Sequence, residues 1–183
     1  MRAPIVTGVA GGVGTRTVAF ALGVSARAPG RHCPCDVLVC RPTLHSVGLA
    51  ERHLSAVTDR PVLAVTGDSA GIPRPVRAKL RMIEAYTETV VHLPHVPRWR
   101  ELTNPYAEAS QLTWQDTAEV AKHLRAYQAA LRRLVERVRP QLAGSPPGVA
   151  AAPASRRNHA AQENGQPSRT TEGIGHVAAD GSH

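Results

Sequence analysis

Residues 8–20, GVAGGVGTRTVAF, place Gly11, Gly12 and Gly14 behind a short apolar run and ahead of a helix-forming stretch. Glycines at such a junction let successive backbone amides turn toward one point, where the N-terminus of the following helix adds partial positive charge. The chemistry this supports is the cradling of a phosphate or another anion. A loop that also cleaves a nucleotide sets a lysine after its last glycine and then a Ser or Thr on Mg²⁺. Here Gly14 is followed by Thr15, Arg16 and Thr17. Arg16 offers a planar fork in place of an ammonium point charge. Gly11, Gly12, Val13, Gly14, Thr15, Arg16 and Thr17 are the candidate binding residues, and none is assigned to catalysis. The same glycines also suit a plain tight turn that packs a helix on its strand, and these residues alone leave both readings open.

Other reactive side chains form weaker patterns. His32, Cys33, Cys35 and Cys40 fall close together, but Cys-x-Cys is a poor zinc knuckle and Cys40 lies in an apolar run, so neither a metal nor a disulfide framework is expected. His45, His53, His92 and His95 are scattered over helix and strand ends and suit surface or hydrogen-bonded roles better than catalytic bases. PHVPRWREL, residues 94–102, fits either a ligand mouth beyond the last strand or an ordered packing loop.

The elements that must position the loop alternate in type. PIVTGV (4–9), DVLVCR (36–41), PVLAVTGD (61–68) and TVVHLPHV (89–96) are apolar and β-prone. Helical spacing is found in 15–24, 44–57, 73–86 and 116–139, with Pro140 as the expected stop. SARAPGRHCP (25–34) is expected to be loop and PRWRELTNPYAEAS (97–110) irregular. Continuous apolar strands alternating with helices imply an α/β domain over residues 1–142: a small parallel sheet of about four strands, doubly wound, with helices on both faces. Residues 143–183 are rich in Ala, Gly, Pro and Ser with few large apolar side chains, the composition of a disordered tail.

VTGVAGGVGTRTVAFALG resembles the opening of ParA/MinD-type partition ATPases, whose deviant phosphate loop reads K-G-G-[VT]-G-K-[ST]-T. Aligned on GGVG, the family's two lysines fall on Ala10 and Thr15, its Mg²⁺-binding hydroxyl on Arg16 and its final Thr on Thr17. CDVLVCRPTLHSVGLAERHL (35–54) and VVHLPHVPRWREL (90–102) are similar to the family's later strand–helix segment and to its proline-containing loop near the adenine. Only about a dozen residues separate the first helix from DVLVCR, fewer than the ~30 of another βαβ unit. The family carries both switch regions in that interval, and this chain has no counterpart of either. The resemblance thus implies a truncated P-loop NTPase-like fold and weak ATP or ADP binding without Mg²⁺-dependent hydrolysis. It also implies a regulatory role alongside a partner protein. An ATPase completed in trans by a partner subunit is the alternative. Loss of the switch strand would leave residues 4–9 as an open edge, to be paired with another chain or covered by 97–112.

The chain's 22 basic and 14 acidic side chains give a formal +8, and residues 143–183 contribute three of each sign. The folded part carries the excess, which favours acidic partners or DNA through the basic faces of helices 73–86 and 116–139, although a solvated charged face is the simpler reading of each cluster taken singly. Six aromatic residues among 183 offer few platforms for single-stranded bases. The apolar N-terminal stretch is broken by glycines, threonines and Arg16, unlike a signal peptide, and no run is long enough to span a membrane. A cytoplasmic location is expected.

Overall fold

A computed structural model describes residues 2–28, 34–68 and 71–144. The sheet comprises β1 (Val6–Gly8), β2 (Ala26–Arg27), β3 (Val37–Cys40), β4 (Val62–Thr66) and β5 (Thr89–Leu93). All five strands are parallel, in the order β2-β1-β3-β4-β5. The helices are α1 (Thr15–Ala21), α2 (Leu44–Leu54), α3 (Arg74–Ile83), α4 (Pro105–Leu112) and α5 (Arg125–Gly144).

Side chains alternate across each strand, and both faces of this sheet are covered. Val6, Val37, Val39, Val62, Ala64 and Leu93 pack into one core with buried residues of α1, α4 and α5. Leu38, Cys40, Leu63 and Val65 point the other way, against Val47, Ala50 and Leu54 of α2 and Val76, Leu80 and Ile83 of α3. Every residue of β3 is fully buried, which explains its unbroken apolar run. The helices start on local signals. Thr43 Oγ1 accepts from the Ser46 amide at 3.1 Å to cap α2, and prolines occupy the first turns of α3 and α4.

Several expectations are corrected. The sheet has five strands rather than four, because the segment read as loop holds β2. Gly23, at φ 69°, ends α1 with amide bonds from Gly23 to Phe20 O (3.0 Å) and from Val24 to Ala19 O (2.9 Å). This paired C-cap turns the chain back beside β1, where Val6 and Thr7 pair with Ala26 and Arg27. Hence the edge of strand 4–9 is not open: β1 lies between β2 and β3.

The segment 97–112, expected to be irregular, contains a 3-10 turn at Pro97–Arg100 and the helix α4, which packs on α1. The last helix starts at Arg125 rather than Asp116. Asp116 Oδ1 accepts from the Ala118 amide at 3.0 Å, a local turn that competes with helix, and Val120 O accepts from Arg125 Nε at 3.0 Å. At its far end α5 runs on through Pro140, since Val138 and Leu142 continue the buried stripe on either side of it. It thus takes in the first two positions assigned to the tail; residues 145–183 lie outside the described residues.

Candidate functional site

In an open parallel sheet, ligands gather beyond the carboxyl ends of the strands where the winding reverses. In this order the reversal falls between β1 and β3, and the chain places a cavity of about 220 Å³ at that end. Gly12, Val13, Gly14 and Thr17 line it from the turn after β1 and from α1, and Arg41 comes directly after β3. Thr66, Gly67 and Asp68 close β4, while Leu93, Pro94, His95 and Val96 close β5. Trp99, Arg100 and Tyr127 complete the wall.

The glycine turn is held by its neighbours. Gly12 and Gly14 have φ of 74° and 89°, a region in which L side chains are strained. Thr66 Oγ1 reaches across from β4 to Val13 O at 2.7 Å and to Cys40 O at 3.1 Å, so one hydroxyl ties the turn to two strands. The Val18 amide donates to Gly14 O at 3.2 Å as the first intrahelical bond of α1, which leaves the amides of Thr15, Arg16 and Thr17 facing out of the helix end. At Gly67 a Cβ would stand 2.8 Å from His95 N and 2.9 Å from Leu93 O, so only glycine lets β4 and β5 approach here.

Of the seven loop residues singled out by sequence, Gly12, Val13, Gly14 and Thr17 line the cavity; Gly11, Thr15 and Arg16 are not among its lining residues. Thr15 Oγ1 packs on Gly8, 2.0 Å from where a Cβ would stand. The Arg16 guanidinium lies 4.9 Å from the centre of the Tyr106 ring, which also stacks with Phe20 at 5.3 Å. Arg16 therefore clamps α1 to α4. Arg41, Thr66, Asp68 and Tyr127 join the site only through the fold, whereas His95, Trp99 and Arg100 belong to the stretch that fits either a ligand mouth or an ordered packing loop.

The walls are firm. Trp99 donates from Nε1 to Glu108 Oε2 at 2.5 Å and meets Tyr127 edge-on at 4.7 Å between ring centres. Burial pushes the Tyr127 phenol up and raises the Cys40 thiol to about 12, so neither is ionised near neutral pH. The arrangement offers cations, amides, hydroxyls and aromatic surface, a set suited to binding.

The remaining candidates are mostly engaged elsewhere. Cys35 Sγ lies 3.7 Å from His53 Nε2, Cys40 is a buried thiol, and His32 and Cys33 lie outside the described residues. Among the described residues no cluster of three or more His, Cys, Asp or Glu could hold a metal, and no helix is long and apolar enough to cross a membrane. In the basic helices, Lys79 pairs with Glu51 at 2.7 Å, while Arg132 bonds Thr117 Oγ1 at 2.9 Å and Gln115 O at 2.8 Å. Compared with protein-family models, with curated proteins and with solved structures, the chain matches none.

Proposed function

We propose that the chain is a non-catalytic, ParA/MinD-like binding module that holds a phosphorylated or similar anionic ligand, nucleotides included, and passes that occupancy to a partner protein. The observation that carries this is the glycine turn itself. Gly12 and Gly14 in left-handed backbone, fastened by Thr66, line one cavity with Arg41 and Arg100 at the carboxyl end of the sheet. Phosphoryl transfer additionally calls for a cation at the transferred phosphate, a metal-binding hydroxyl and an oriented water. Thr15 and Arg16, at two of those positions, are spent on packing against Gly8 and Tyr106.

The test is the melting temperature with ATP, ADP or inorganic phosphate at millimolar concentration, with and without Mg²⁺, together with phosphate release from ATP. A ligand bound only by the folded chain must raise the melting temperature. The expected result is a rise with at least one of these ligands, insensitive to Mg²⁺, and no turnover. No rise with any of them removes the binding reading, and Mg²⁺-dependent turnover removes the non-catalytic one.

A further inference from the structure

Resting on the anion-binding reading above, we propose that Arg41 and Arg100, not Arg16, grip the ligand, and that the ligand is a small aromatic anion: a phosphate or carboxylate across the two arginines, with its ring against Trp99.

The argument starts from where the cations stand. Arg16 adjoins the glycine turn in sequence, but its guanidinium covers the Tyr106 ring and it does not line the cavity. Arg41 and Arg100 do line it. They come from opposite parts of the chain, one directly after β3 and the other at the end of the 3-10 turn after β5. Neither guanidinium forms an ion pair among the described residues, so both forks are available to an oxyanion. A guanidinium matches the two oxygens of a carboxylate or phosphate with two parallel bonds, which gives orientation as well as attraction.

Apolar side chains also face the cavity. Leu93, Val96, Trp99 and Tyr127 line it, and the Glu108 carboxylate fixes the indole of Trp99. A ring held in place offers contact area with little ordering entropy to lose. Size sets the limit: 220 Å³ is the liquid share of roughly seven waters and lies below the ~300 Å³ at which pockets begin to enclose drug-sized ligands. One ring with one anionic group fits that volume, and a nucleoside triphosphate leaves most of itself outside.

The probe is phenyl phosphate, with benzoate as the carboxylate arm and inorganic phosphate and benzyl alcohol as the two halves. Trp99 and Trp114 are the only tryptophans, and Trp114 is 75% exposed, so W114F leaves Trp99 as the sole tryptophan emitter at small structural risk. Titrated into W114F, phenyl phosphate or benzoate is expected to quench that emission, with at least about tenfold tighter binding than inorganic phosphate or benzyl alcohol. Added to W114F, R41A or R100A should each weaken binding by about tenfold, the scale of one charge-assisted hydrogen-bond pair, while R16A stays within about twofold. Equal loss in R16A and R41A, or no advantage for the aromatic anions, overturns the inference. If inorganic phosphate or ADP still raises the melting temperature in that case, the broader reading survives alone; if no anion binds, both fall.

Discussion

Thr7 occupies the middle of β1, 1% exposed, and its Oγ1 has no hydrogen-bond partner among the described residues. A buried hydroxyl left unpaired costs free energy that an isosteric methyl does not. Thr7→Val is therefore expected to leave stability unchanged or to raise it by about 1 kcal/mol. A denaturant midpoint that falls instead would reveal a partner for that hydroxyl. Gly67 is the opposite case. Its missing Cβ is what lets the Gly67 amide reach Leu93 O at 2.6 Å, and the atoms a Cβ would meet are backbone, which cannot rotate away. Gly67→Ala is expected to cost about 2 kcal/mol or more in urea unfolding and to weaken anion binding, since it pushes apart the two strand ends that floor the cavity. Such residues are hard to recognise from sequence. Gly12 and Gly14 announce themselves by crowding, whereas Gly67 is a lone glycine after a strand, and its role depends on a neighbour 26 positions further on.

At the scale of elements, what sequence foretold and what it missed divide by how far each signal reaches. β3, β4, α2 and α3 carry their own instructions: unbroken apolar runs for strands buried on both faces, and the Val76, Leu80 and Ile83 stripe for α3. β2 carries none, having two residues of half-exposed Ala26 and exposed Arg27, and it exists because the end of α1 delivers it beside β1. α4 escapes notice for a related reason. Its buried positions are only Ala109 and Leu112, too few for a periodic stripe, and Thr113, Trp99 and Arg16 tie it down from outside. The dependence of β2 on the end of α1 can be tested at Gly23, where a Cβ would meet nothing within 4 Å. Gly23→Ala thus changes backbone conformation alone, and it is expected to cost about 1–2 kcal/mol, the penalty of left-handed backbone. Amide hydrogen exchange should rise at Ala26 and Arg27 before it rises in β3. A variant as stable as the parent would mean that the helix end does not hold the turn.

For the whole molecule the governing quantity is charge. The formal +8 already opposes compaction, and protonating nine histidines would more than double it. His92, on edge strand β5, shows how the fold responds: desolvation, then the charges of Arg77 and Arg133, lower its pKa below the usual 6.5, with Glu84 opposing. Because the folded state holds this imidazole neutral while the unfolded chain takes up the proton, the contribution of His92 to stability is complete above about pH 6.5. It is lost as the pH falls below that value. The slope of unfolding free energy against pH is therefore expected to be positive as the pH rises toward about 6.5. His92→Gln keeps a neutral polar group at the position and removes the titration, so it should flatten part of that slope while changing stability little at pH 7.5 and above. Urea midpoints of both proteins across the range decide it. An unchanged slope in the variant would shift the effect to the other histidines and to self-repulsion of the basic surface, which added salt would then relieve in both proteins alike.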